Sequence, residues 1–159
     1  MKELLISADA APPLVGTVIH DVRVPSRLDL KPELIDTLVE LLVGAGQINE
    51  DERQWLVLVL DEAVVNAMLH GNEGDPRLDI HVRLATQPDG WSLQIDDQGH
   101  GFSADAIPNI DDPESLLLEH GRGIRLMREW LDSLTYHRGG ASILMRRRRC
   151  TPGGDSHAV

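Results

Sequence analysis

The sequence predicts an α/β two-layer sandwich: a mixed, mainly antiparallel sheet covered on one face by helices. Three observations carry that expectation. Segments of alternating apolar residues come in pairs joined by short turns, two long apolar-striped segments precede those pairs, and 159 residues suffice for one domain with a full core but not for two. Hairpin-connected strands leave the helices free to lie together on one side of the sheet.

The segment "TVIHDVRV", Thr17 to Val24, has β-branched residues in near-alternation and is closed by Pro25, as a first strand would be. Pro32 opens a helix at its tolerated first turn. Leu34, Ile35, Leu38, Val39, Leu41 and Leu42 give that helix one apolar stripe, and Gly44 and Gly46 end it. Asn49 is placed to cap a second helix, with Glu52 as its capping-box partner, running to about His70 before Gly71 stops it. After the turn "GNEGDP", Leu78, Ile80, Val82 and Leu84 alternate with Asp79, His81 and Arg83 in a half-buried strand. "QPDG" supplies a turn and "WSLQIDD" the return strand. Residues 103–120, acidic and Pro-containing, read as a loop or lid. A helix restarts from Gly123, and "SLTYHR" and "ASILMRR" form a closing hairpin. The expected domain is 1–159, with its core over about 17–148 and a flexible tail, 149–159.

Composition narrows the function classes. The formal charge of −11, from 26 acidic and 15 basic residues, opposes binding to nucleic acid, because repulsion is added where counterion release is needed. A single cysteine, Cys150, makes no internal disulfide, and the N-terminus lacks the basic and apolar regions of a signal peptide. The longest oily run, "WLVLVL", falls far short of the roughly 20 residues that span a bilayer. A soluble protein of the cytoplasm, with no membrane or nucleic-acid partner, is the expectation.

The second helix poses the functional question, because Glu62, Asn66 and His70 interrupt an otherwise apolar segment at steps of four. Steps of four drift about 40° each, so the three share one face. A helix apolar all round is expected to be buried, and its polar stripe must then find protein partners or line a cleft for a polar ligand. Both readings fit the helix alone. Strand parity adds a second cluster: if the strand persists to Asp97, that residue falls on the same face as Trp91, Leu93 and Ile95, towards the helices, whereas Asp96 faces outward into solvent. Gly99 and Gly101 follow at once, allowing a sharp turn and close backbone approach to a ligand; an Asx-turn ending the strand is the plainer alternative for Asp97. Third, "HGRGI" runs Gly121, Arg122 and Gly123 into a helix start, where free amides and a fixed charge suit phosphate.

Taken together these residues resemble the GHKL ATPases, which share the Bergerat ATP-binding fold. Glu62 to Gly71 resembles the N box, Asp97 to Phe102 (Asp-x-Gly-x-Gly-Phe) the G1 box, and Gly121 to Met127 the G2 box, over about 17 to 148. Within the superfamily, "LDEAVVNAMLHGN", the short lid and the ending "GGASILMRR" look like the stand-alone anti-sigma-factor serine/threonine kinases of partner-switching systems. That resemblance implies ATP and Mg²⁺ as cofactors. Asn66 would be the Mg²⁺ ligand, Glu62 the general base on a serine or threonine hydroxyl, and Asp97 the acceptor of the adenine amino group. Gly99 and Gly101 would shape the adenine end, and Gly121, Arg122 and Gly123 would hold the β- and γ-phosphates beneath the lid. His70 would lie near the phosphates or simply serve as a cation at the helix C-terminus.

The implied partners are a sigma factor and an anti-anti-sigma protein of STAS type, with the oligomeric state, monomer or homodimer, left open. Two other readings compete: an ATP-binding module that regulates a partner without phosphorylating it, and a detached histidine-kinase catalytic domain. The latter has only about sixty residues before the N box, including a strand, in which to place a phosphoacceptor hairpin. The lid's acids Asp111, Asp112, Glu114 and Glu119 sit oddly over a polyphosphate and are expected to face solvent. The run Arg146–Arg149 reads as a solvated edge or as a contact for an acidic partner.

Overall fold

A computed structural model of the protein describes residues 5–99 and 119–149. The strands are β1 (Leu5–Ile6), β2 (Thr17–Pro25), β3 (Asp79–Gln87), β4 (Gly90–Asp96), β5 (Ser133–His137) and β6 (Ser142–Arg148), and the α-helices are α1 (Lys31–Gly44), α2 (Glu50–Val65) and α3 (Glu119–Trp130). The strands form one six-stranded sheet in the order β1-β5-β6-β4-β3-β2. Every pairing is antiparallel except β1 with β5, which is parallel. The predicted sandwich, with its mixed and mainly antiparallel sheet, is therefore the observed one.

Register explains the single core. Val82 lies opposite Ile95 and Leu84 opposite Leu93; Ile95 then meets Ile143, and Leu93 meets Met145. Strand side chains alternate between faces, so these residues line one face together. There they pack with Leu38 and Leu42 of α1 and Leu56, Leu60, Ala63 and Val64 of α2. Each such side chain contributes about 1.5–3 kcal/mol by leaving water. The caps are as read: Pro32 stands in the first turn of α1, and the Asn49 side chain accepts from the Glu52 amide at 3.0 Å.

The structure corrects five expectations. A strand forms at Leu5–Ile6, too short to show any periodicity, and residues 7–16 carry the chain from that edge of the sheet to β2 at the other. Helix α2 is not buried all round: Trp55, Val57 and Leu58 are exposed, because a single helical layer gives every helix an outward side. Asp96 is not simply solvated, since its carboxylate accepts from Arg83 at 3.3 Å and from Gln94 at 3.1 Å on the helix-free face. Helix α3 starts at Glu119, four residues ahead of Gly123, since glycine is tolerated inside a helix at a modest cost.

The fifth correction concerns the arginine run. Arg147 is no loose edge residue, because β6 is an interior strand. Its guanidinium lies 3.9 Å from the centre of the Trp130 ring and donates from Nε to Glu52 Oε2 at 3.1 Å. Glu52, beyond its capping position, thus becomes the buried half of an ion pair with a half-buried Arg147. Trp130 also packs against Trp91, ring centres 6.3 Å apart. This cluster ties the start of α2 and the end of α3 to the sheet.

Candidate functional site

Helix α2 does not end as an ordinary α-helix. Its last turn, Asn66–Gly71, is π-helical, so the polar stripe changes pitch at Asn66, and such turns recur at functional sites. Gly71 then meets the end of β4. A Cβ on Gly71 would lie 2.1 Å from Asp97 Oδ2, and one on Gly99 would lie 2.2 Å from the Gly71 carbonyl oxygen. Neither position admits a side chain without moving backbone or carboxylate. The helix that carries Glu62, Asn66 and His70 is thereby locked against Asp97 and Gly99.

Asp97 is 7% exposed. Its amide donates to the Ala141 carbonyl at 2.8 Å, its Oδ1 accepts from the Gly99 amide at 2.8 Å, and its own carbonyl accepts from Arg138 at 3.0 Å. The Oδ1–Gly99 contact is the Asx-turn that the sequence left open, and the buried, helix-side placement holds as well. Burial pushes the carboxyl up to about 6, with the Gly99 amide and the Arg138 charge partly opposing it and neighbouring Asp96 adding to it. A carboxylate so placed is half ionised near pH 6 and can accept from a polar N–H group.

Asn72 holds this corner and was hidden within the turn "GNEGDP". At 1% exposure it donates to Ser26 Oγ at 2.9 Å and to the Asp79 carbonyl at 3.0 Å, and its Oδ1 accepts from the Gln98 amide at 2.7 Å. One side chain thus joins the end of β2, the start of β3 and the turn after Asp97. A polar residue just past a helix-stopping glycine was the available signal.

Glu62 is half-buried, with Oε1 shut from solvent. Burial, and to a lesser degree the Glu62 charge, holds the Tyr136 phenol of β5 protonated well beyond its usual range. Tyr136 is a second residue at the site that periodicity did not single out. Asn66 is half-buried and His70 exposed. Gly101 lies outside the described residues. Gly121, Arg122 and Gly123 all fall within α3, and the placement of the Arg122 side chain is not described. In a helix that starts at Glu119 the amides lacking an intrahelical acceptor end at about Gly121, so Gly121 remains among them and Gly123 passes into the bonded turn.

Among the described residues no three His, Cys, Asp or Glu side chains gather to hold a metal ion. A divalent ion at Asn66 would draw its other ligands from phosphate and water, as Mg²⁺ does.

The fold agrees with comparison to known proteins. Residues 24–147 match the histidine kinase-like ATPase domain, and the chain belongs to that family. Among its relatives is the anti-sigma F factor of Halalkalibacterium halodurans, 28% identical over 86 residues, which cover 53% of this chain and 59% of that protein. The chain thus spans less than two thirds of that relative's length. The GHKL resemblance read from the three boxes is borne out at the level of the family. Among the described residues, no helix is long and apolar enough to cross a membrane.

Proposed function

We propose that the protein is an ATP-dependent protein-serine/threonine kinase that also sequesters a sigma factor in the cytoplasm, the sigma factor being released when an unphosphorylated anti-anti-sigma partner of STAS type competes. The observation that carries this reading is the seating of Gly71 on Asp97 and Gly99, which sets a buried carboxylate at the foot of the helix bearing Glu62 and Asn66. Its likeness to an anti-sigma F factor supports the choice of partners.

In this reading Asp97 accepts from the adenine amino group and Gly99 lets the base approach. Gly101 shapes the same end. Asn66 offers its side-chain oxygen to Mg²⁺, which neutralises charge on the phosphates when bound. Gly121, Arg122 and Gly123 hold the β- and γ-phosphates, with His70 close to them. Glu62 takes the proton of the incoming serine or threonine hydroxyl, one helical turn before Asn66. Phosphoryl transfer of this kind rests on positioning and charge stabilisation rather than a covalent enzyme intermediate.

Replacing Glu62 by Ala tests the assignment. Transfer from ATP·Mg²⁺ to the acceptor should fall by at least about a hundredfold while nucleotide affinity stays within about twofold. Undiminished phosphorylation by Glu62→Ala would remove Glu62 from the role of base.

A further inference from the structure

The turn between β5 and β6 holds Arg138, Gly139 and Gly140 in succession at φ 51°, 69° and 109°. Glycine takes that left-handed region freely, whereas a residue with a Cβ enters it at a cost. Among the described residues only Glu73 and Arg138 do so without being glycine. The bend is fixed from outside the turn. The Arg138 amide donates to the Asp9 carbonyl at 2.7 Å and the Gly139 amide to the Ser7 carbonyl at 2.9 Å, so the stretch just after β1 holds it. Backbone strain maintained in this way directs attention to the side chain it places.

That side chain reaches the end of β4. Arg138 donates from Nη2 to the Asp97 carbonyl at 3.0 Å, and the Asp97 amide donates to the Ala141 carbonyl of the same turn at 2.8 Å. One turn therefore grips Asp97 through both its carbonyl and its amide. The hydrogen bond goes to backbone, and what reaches the carboxylate is the charge of the guanidinium. Among the described residues two charged groups act on that carboxylate: Arg138, which opposes the effect of burial, and Asp96, which adds to it. The last turn of α2 packs against Asp97 through Gly71, which carries no charge, and the neighbouring His70 is exposed.

We propose that Arg138 is a positioning residue for the adenine contact: from its left-handed place in the turn it fixes the end of β4 and sets a positive charge beside the Asp97 carboxylate. The inference rests on the reading of Asp97 as the adenine acceptor. It does not depend on phosphoryl transfer and holds for a nucleotide-binding module as well. An acceptor has to be ionised to take a hydrogen bond from the adenine amino group at full strength, and a nearby cation keeps it so to lower pH.

The test measures binding of ATP and of adenosine to the full chain across about pH 5 to 8, in wild type and in variants at Arg138 and Asp97. Arg138→Gly should melt no lower than wild type, because glycine relieves the strained φ. It should nevertheless bind both ligands about fivefold more weakly near pH 6. The pH at which affinity halves should move upward, since loss of the cation lets Asp97 take its proton more readily. Arg138→Gln, which keeps a donor without the charge, should move the profile in the same direction, and Arg138→Lys should restore it. In the Asp97→Asn background Arg138→Gly should shift no pH profile, because no carboxyl is left there to titrate. A wild-type profile in both Arg138→Gly and Arg138→Gln, or a loss of ATP affinity with none for adenosine, would overturn the inference while the adenine contact stands. Unchanged ATP affinity in Asp97→Asn would overturn the adenine contact and the inference with it.

Discussion

At the scale of single residues, Asp97 carries a stability cost in the protein without nucleotide, the cost that the proposed adenine contact would turn to use. Its carboxyl is pushed up to about 6 from an ordinary value of 3.8, so the folded state holds its proton more tightly than the unfolded chain. Stability therefore falls as pH rises from about 4 through about 6, and the penalty is complete above that. Asp97→Asn removes this penalty while keeping an oxygen for the Gly99 amide. We expect the variant, without nucleotide, to melt at a higher temperature at neutral pH, by of order 1–2 kcal/mol after allowing for water at the cleft mouth, and to lose the decline between pH 4 and 6. Its ATP affinity should drop, and wild-type affinity should weaken as pH falls below about 6. Thermal melts across pH with nucleotide titrations check both signs; unchanged ATP affinity would count against the adenine contact. Gly71→Ala makes the opposite case. With its Cβ forced to 2.1 Å from Asp97 Oδ2, that variant should lose both stability, by about 1–3 kcal/mol, and ATP binding. Urea unfolding and calorimetric titration measure the two losses.

At the scale of elements, α2 and α3 are positioned by what holds their far ends. Arg147 links Glu52 at the start of α2 to Trp130 at the end of α3, so the two helices share one clamp. Removing the guanidinium leaves Glu52, 8% exposed, as a buried carboxylate without its cation. Arg147→Ala should therefore cost about 3–5 kcal/mol in urea unfolding, while Arg148→Ala, on the exposed end of the same strand, should stay within about 0.5 kcal/mol. Similar losses at the two positions would show that the clamp is not what distinguishes them. The arginine run illustrates the limit of reading by composition. Four consecutive arginines look solvated until the strand order makes β6 interior, and that order depends on pairings far apart in the chain. The alternating strands, the capped helix start and the two-residue turn between β3 and β4 were legible because each is local. The edge strand Leu5–Ile6 and the π-helical turn at Asn66 were not, because a two-residue strand has no period and a widened turn keeps the same apolar residues.

At the scale of the whole molecule, the sheet and helices converge on one corner. The ends of β2 and β4, the start of β3 and the last turn of α2 meet there through Asn72, Asp97 and Gly71. Parity along "WSLQIDD" pointed Asp97 to the helix side, and it lies there although β4 ends one residue earlier, at Asp96; steps of four put Glu62 and Asn66 on one face. Asn72 escaped because its role is to bridge three segments, and no spacing within the turn reveals partners at Ser26 and Gln98.

The central claim is that Glu62 acts in phosphoryl transfer to a hydroxyl and not in nucleotide binding. Its most direct test takes the acceptor recovered by pull-down with the chain, supplies ATP·Mg²⁺ labelled in the γ-phosphate, and compares wild type with Glu62→Ala after acid treatment. The account predicts an acid-stable phosphoprotein with wild type and none with Glu62→Ala, at equal ATP affinity. An acid-labile product, or equal labelling by both proteins, would contradict it.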